Sequence, residues 1–301
     1  IRNGLDFERF RPQAPSARIR EIIPVDPEQH TIVLHPHRPE ETKGIWQTIE
    51  VVDRLVHHYG MTDVRACVPL WLNVENDPGV SAFYERVRAL IAERGLTGHF
   101  VFHNWIPAEL MPEYFSLGHV TLALGNFVES FGNAVYESLA CGTRVVVARI
   151  SSHRELLPEA LNDKVDFNDH DDAAAKAAVI LQGRLRTSPE TMAYLHTHYD
   201  KRDQLARFAD VILNAERAQP MRFDPQPITD ATRYRLASWC YLAKRGIYHD
   251  YKGDYLADDT LIALTQQYPD GFSLTEAAPQ GVTRATLDHW QREGYLVPLR
   301  A

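Results

Sequence analysis

From Thr31 to about Leu181 the chain switches repeatedly between short β-rich apolar runs and longer amphipathic ones, and this alternation constrains the fold more than any other feature. The apolar runs fall at residues 31–34, 64–70, 100–102, 120–124, 144–148 and 164–167. They are short and rich in Val, Ile, Phe and Leu, as expected of strands buried on both faces. Helical stretches lie between them. The clearest opens at Asp77, a capping residue, has Pro78 at its first helical position and stops at Gly95. Phe83, Val87, Leu90 and Ile91 form its single apolar face. Strands joined through helices become parallel neighbours with helices on both sides, so the pattern predicts a doubly wound parallel α/β sheet.

Ligands of such sheets sit beyond the carboxyl ends of the strands. Arg38 and Lys43 follow the first run, Trp105 the third, Glu129 the fourth, and Ser151 and Ser152 the fifth, so topology alone gathers them at one end. The segment Glu129-Ser-Phe-Gly-Asn-Ala-Val-Tyr-Glu137-Ser-Leu-Ala-Cys-Gly-Thr143 adds chemistry to that placement. A helix starting near Phe131 aims free N–H groups of Phe131, Gly132 and Asn133 at whatever lies in front of it, and its positive end suits a phosphate. Glu137, one to two turns inside, can accept two hydrogen bonds from a sugar diol. Glu129 stands just before the turn, close to what the phosphate carries. A phosphate seat with a carboxylate on each side suits a nucleotide-sugar; the plain alternative is a solvated helix with surface glutamates.

That string resembles the Glu-x7-Glu segment of the retaining family 4 glycosyltransferases, which have the GT-B fold. The resemblance implies a Rossmann-like, donor-binding C-terminal half, in which Glu137 holds the ribose hydroxyls, the backbone after Glu129 holds the diphosphate, and Glu129 contacts the donor sugar. The loop Arg38-Pro-Glu-Glu-Thr-Lys43-Gly44 is similar to the family's Gly-Arg…Lys-Gly loop, whose two cations grip the diphosphate. Fixed cations stabilise negative charge most where it develops on the leaving group. His37 stands where the family usually has Gly, Gly125-Asn126 where it has Pro-Ser, Arg144 where it has Pro, and Ser151-Ser152 where it has Gly-Gly. The loop at residues 103–107 lies where the family binds the base, so Trp105 and Ile106 either pack on a nucleobase or close the sheet end as core. Asn3-Gly-Leu-Asp-Phe-Glu-Arg-Phe-Arg-Pro12 is similar to the segment that opens the family's C-terminal half. The resemblance therefore implies an acceptor-binding N-terminal domain absent from these residues or supplied by another chain.

Residues 1–218 are expected to form this donor-binding domain, and the proline-rich stretch at 219–230 a linker. Residues 188–218 read as one long helical tail with Met192, Leu195, Leu205, Phe208 and Ile212 as buried points. In residues 231–301 a helix at 259–267, a short helix at 274–278, a turn at Gly281, a helix at 282–293 and a strand at 295–299 follow the order of a winged helix. Tyr248 to Tyr255 reads as an exposed polar loop. Between Met221 and Ala301 nine Lys plus Arg stand against ten Asp plus Glu, and the whole chain carries a formal charge of −8, which disfavours nucleic acid as a partner. No apolar run is long enough to span a bilayer, and three scattered cysteines without a Cys-x-x-Cys pair fit a reduced, cytoplasmic protein. The paired histidines 35/37, 57/58 and 196/198 read as loop or helix-surface residues and are not joined by a third His or by Cys at metal-ligand spacing, so neither metal nor cofactor is expected. The function these features favour is retaining transfer of a sugar from a nucleotide-diphosphate sugar to an acceptor hydroxyl, with Arg38, Lys43 and Glu129 in the catalytic roles. The rival is a non-catalytic nucleotide-sugar-binding regulatory module coupled to a winged-helix interaction domain.

Overall fold

A computed structural model of the protein describes residues 1–72, 76–214 and 228–299. The chain divides into two compact units, Ile1–Ala215 and Glu216–Ala301. The linker expected at 219–230 falls mostly outside the described residues.

The first unit runs α1 (Ala17–Ile22), β1 (Thr31–Leu34), α2 (Ile45–Asp53), β2 (Val64–Pro69), α3 (Pro78–Glu93), β3 (Phe100–His103), α4 (Met111–Leu117), β4 (Val120–Ala123), α5 (Asn133–Ala140), β5 (Val145–Ala148), α6 (Ser152–Glu155), β6 (Asp163–Val165), α7 (His170–Gln182), α8 (Pro189–Tyr199) and α9 (Lys201–Asn214). All six strands are parallel, in the order β3-β2-β1-β4-β5-β6. The strands are apolar throughout because both faces are covered: Val33 and Val146 pack toward α2, α3 and α7, while Ile32, Leu34, Val145 and Val147 pack toward α4, α5 and α8. Strand order reverses between β1 and β4. The chain leaves these neighbours in opposite directions and opens a crevice above their carboxyl ends. Helix α3 begins as its sequence requires, with the Asp77 carboxylate accepting from the Gly79 and Val80 amides.

Two expectations for this unit are corrected. The tail after Ser188 is two helices, broken at Asp200, because Leu5 bridges there: its N–H donates to the Tyr199 carbonyl at 2.6 Å and its carbonyl accepts from the Lys201 N–H at 3.0 Å. Leu195 is buried as expected, whereas Leu205, Phe208 and Ile212 on α9 are exposed.

The second unit contains β7 (Tyr234–Leu236), β8 (Cys240–Ala243), β9 (Gly246–His249), β10 (Asp254–Leu256), α10 (Asp259–Gln267), α11 (Leu274–Ala277), α12 (Arg284–Arg292) and β11 (Leu296–Pro298). Helix α11 and helix α12 each start with a capping box, at Ser273 and Thr283, and Gly281 turns between them at φ +83°. Strand β11 pairs antiparallel with β7. The stretch from Tyr248 to Tyr255, expected as an exposed loop, instead belongs to a three-stranded antiparallel meander of β8, β9 and β10. All of β9 is buried, with Ile247 in the core of this unit. Among the described residues no helix is long and apolar enough to cross a membrane.

Candidate functional site

The crevice at the β1/β4 reversal holds the candidate residues because two glycines let its walls meet. Gly44 sits at φ +90°, and a Cβ on it would lie 2.4 Å from the Gly125 backbone nitrogen. A Cβ on Gly125 would lie 2.1 Å from the Thr42 carbonyl oxygen. Only Cβ-free residues permit this approach of the loop after β1 to the loop after β4. A hydrogen bond of 3.0 Å from the Phe127 N–H to that same Thr42 oxygen fixes the contact.

The approach brings together two residues that are 86 apart in sequence. Lys43 Nζ donates to Glu129 Oε1 at 2.6 Å and stands 3.4 Å from the centre of the Phe127 ring. With His37, Thr42, Ala123, Gly125 and His153 they line an open cleft of about 260 Å³. Arg38 is not among the lining residues: it is half-exposed at the rim, 3.3 Å from Glu40 and 6.0 Å from the Trp71 ring.

Helix α5 starts at the edge of this cleft. Its N-cap is Gly132, in the left-handed region at φ +82°, and no side chain caps it. The first amides of α5 therefore keep their donors for a ligand. The Phe131 side chain turns the other way and stacks on Tyr136 at 4.4 Å, so only its backbone can contribute. The loop after β5 supports the turn. Ser151 Oγ donates to the Glu129 carbonyl at 2.8 Å and Ser152 Oγ to the Phe131 carbonyl at 3.3 Å. The two serines thus brace the backbone that carries Glu129. The His153 ring lies against Gly132 so closely that a Cβ there would be 2.2 Å from His153 Cε1.

Burial holds the His153 imidazole down to about 3, with His37, Lys164 and Lys43 acting in the same direction. Burial and then Lys43 hold His37 down to about 4, against a pull from the Leu122 carbonyl. Both imidazoles are neutral at physiological pH. His35 and His37 lie in the loop after β1, as expected; His35 is buried there and bonded to Thr48 at 3.0 Å, and His37 is half-buried. His57, His58, His196 and His198 are exposed as expected.

Glu137 projects from α5 about one and a half turns beyond Gly132, roughly 7.5 Å along the axis at 1.5 Å per residue. Burial pushes its carboxyl up to about 7, and Arg9 opposes this. The Arg9 guanidinium also donates to the Ala108 carbonyl, two residues after Ile106. A second, apolar pocket of about 330 Å³ is lined by Pro36, Pro69, His103, Trp105, Ile106, Met111 and Tyr114. Trp105 is 37% exposed and meets Trp71 edge-on at 5.1 Å, while Ile106 is buried. Pro36 borders the apolar pocket and its neighbour His37 borders the cleft, so the two are adjacent along one strand end.

Sequence reasoning missed His37, His153, Thr42, Phe127, His103, Tyr114 and Arg9. Their placement depends on contacts between distant loops, and no local spacing announces it. Among the described residues no group of three or more His, Cys, Asp or Glu side chains is placed to hold a metal ion.

Residues 18–195 match the family model for glycosyl transferases group 1. Over 149 residues the chain is 32% identical to a D-inositol 3-phosphate glycosyltransferase of Acidothermus cellulolyticus, covering 49% of this chain and 32% of that relative. Its fold is similar to that of Anabaena HepE, whose structure was solved in complex with UDP and glucose (TM-score 0.60, 18% identity, 71% of this chain and 56% of that one). It is also similar to the C-terminal domain of a glycosyl transferase group 1 family protein, LpcC, from Francisella tularensis (TM-score 0.53, 16% identity, 65% of this chain and 99% of that one).

Proposed function

Because the chain belongs to the group 1 glycosyl transferases, with the Rossmann-like half of the GT-B fold, we propose that it binds a nucleotide-diphosphate sugar and transfers the sugar to an acceptor hydroxyl with retention. The observation that carries this reading is the Lys43–Glu129 pair at the uncapped mouth of α5, beside an uncharged pocket. Such a site offers a cation and helix amides to phosphates, an acid to hydroxyls and apolar walls to a base.

In this reading the diphosphate lies against the amides of Phe131, Gly132 and Asn133, and Lys43 neutralises the charge that grows as the sugar departs. Arg38 swings from Glu40 at the rim to join it. Glu137 accepts from the ribose hydroxyls, Trp105 and Ile106 flank the base, and Glu129 positions the donor sugar. Neither glutamate forms a bond to the sugar; the leaving phosphate assists the incoming hydroxyl from the same face, and no metal takes part. In this reading the acceptor is bound by a further domain of the GT-B pair, in the same polypeptide or another. The chain covers 32% of its curated relative and 56% of HepE, which leaves ample room for such a domain in proteins of this kind.

Transfer of radiolabelled sugar from a panel of nucleotide-sugars by the full-length polypeptide tests the proposal. Product that disappears on Lys43→Ala supports it. Tight nucleotide-sugar binding without any product favours the rival reading of a sensor, in which the second unit relays occupancy to a partner.

A further inference from the structure

The apolar pocket holds two buried polar atoms that the protein leaves unpaired. His103 is 3% exposed, and its Nδ1 lies 2.8 Å from the Asn104 carbonyl oxygen. A carbonyl can only accept, so Nδ1 carries the proton and Nε2 presents a lone pair. That Nε2 has no hydrogen-bond partner in the protein. Tyr114 is 1% exposed, and its hydroxyl is also without a partner. The two rings stand 5.6 Å apart and line the same pocket. A buried polar group without a partner carries a desolvation penalty that a ligand can relieve. The other walls are Pro36, Pro69, Trp105, Ile106 and Met111, with no charged side chain among the lining residues. The pocket therefore suits a flat, uncharged heterocycle with polar atoms on one edge, and it rejects a phosphate.

We infer that His103 and Tyr114 read the Watson–Crick edge of the donor's base: His103 Nε2 accepts an N–H of the base, and the Tyr114 hydroxyl donates to the neighbouring acceptor. The inference rests on the nucleotide-sugar reading above and adds to it the groups that discriminate a base from any other apolar ligand. Each common base carries an N–H next to an acceptor on that edge, and Trp105 and Ile106 supply the stacking walls such recognition uses. Side-chain readout in a dry pocket is steep, because a base that fails to pair leaves both protein atoms and its own edge unsatisfied.

The test is calorimetric titration of the wild-type chain with UDP, GDP, ADP, CDP and inorganic pyrophosphate. The tightest nucleotide is then compared with an analogue methylated so that its edge keeps no N–H. Methylation is expected to weaken binding roughly ten- to a hundredfold, as for a lost buried hydrogen bond. His103→Leu should weaken the same nucleotide by a similar factor while leaving pyrophosphate unchanged. His103→Gln, whose carboxamide oxygen can accept, should keep much of the affinity, and Tyr114→Phe should lose about three- to tenfold. Equal binding of the methylated analogue overturns the inference, and so does a His103→Leu loss shared by pyrophosphate. The first comparison needs no variant and holds even if a substitution unfolds the chain. Binding of no nucleotide at all removes the donor reading itself, and binding without dependence on the edge removes only this inference.

Discussion

Glu129→Gln is expected to tighten nucleoside diphosphate binding while reducing sugar transfer, a combination that few other arrangements produce. In the free site Lys43 is already committed: its ammonium lies 2.6 Å from the Glu129 carboxylate, with the two side chains 10% and 26% exposed. At that distance and an effective dielectric near 20 the gross attraction is about 6 kcal/mol, most of it offset by desolvation. A charged hydrogen bond of this kind nets roughly 1.5–3 kcal/mol, and the partial exposure of Glu129 places this pair toward the lower end. A diphosphate must take Lys43 from the carboxylate, so that net energy opposes binding. An uncharged Gln removes the competitor and one negative charge from the cleft, and affinity should rise about tenfold. Turnover falls because the group that positions the donor sugar is gone. Calorimetry with a nucleoside diphosphate that lacks the donor sugar reads the first effect, and radiolabelled transfer reads the second. Equal or weaker diphosphate binding by Glu129→Gln would refute the competition and show that Lys43 keeps its carboxylate in the complex.

Other consequences follow from the same geometry. Lys43→Ala leaves Glu129 without its cation and should lower turnover on the order of a hundredfold, read by initial rates of transfer. Glu137, with its carboxyl pushed up to about 7, ionises only as pH rises through that value. Nucleoside diphosphate affinity, referred to pyrophosphate, should therefore rise up to about tenfold from pH 6 to 8, and Glu137→Gln should flatten the profile. His37, His103 and His153 are held at about 4, 4 and 3, below their unfolded value of 6.5, so the folded state binds fewer protons across that interval. Stability is then lost as pH falls from 6.5 toward 4, by about 3 kcal/mol for His103 alone, and a thermal-unfolding series across that range that stays flat contradicts the burial argument. Gly132→Ala forces a Cβ into the left-handed region and into the His153 ring, so both melting temperature and nucleotide affinity should drop. Retained affinity would move the phosphate away from α5.

The six parallel strands were legible because each is a short run buried on both faces, and the bounds expected from the residues differ from those observed by at most two positions at any strand end. Legibility failed where a non-local contact decides the outcome. Nothing near Asp200 announces a helix break; Leu5, almost two hundred residues earlier, makes it. The meander of β8 to β10 hides behind Tyr, His, Asp and Lys, since strands of three or four residues with polar ends resemble a loop until Ile247 is seen in a core. In the site, Lys43, Glu129 and the α5 turn could be placed from spacing and topology. Their pairing could not, because it depends on Gly44 and Gly125 meeting across the crevice, and Gly125 read only as a departure from the family pattern. The serines at 151 and 152 also read as departures, yet their hydroxyls tie down the Glu129 and Phe131 carbonyls, work that glycines in their place could not do.

The most direct measurement is a crystal structure of the chain with the tightest-binding nucleoside diphosphate. The expected result is a diphosphate on the Gly132 and Asn133 amides with Lys43 turned toward it, the ribose on Glu137 and the base between Trp105 and Ile106. A nucleotide seated on another face, with the Lys43–Glu129 pair left unbroken, contradicts a donor site at the β1/β4 reversal.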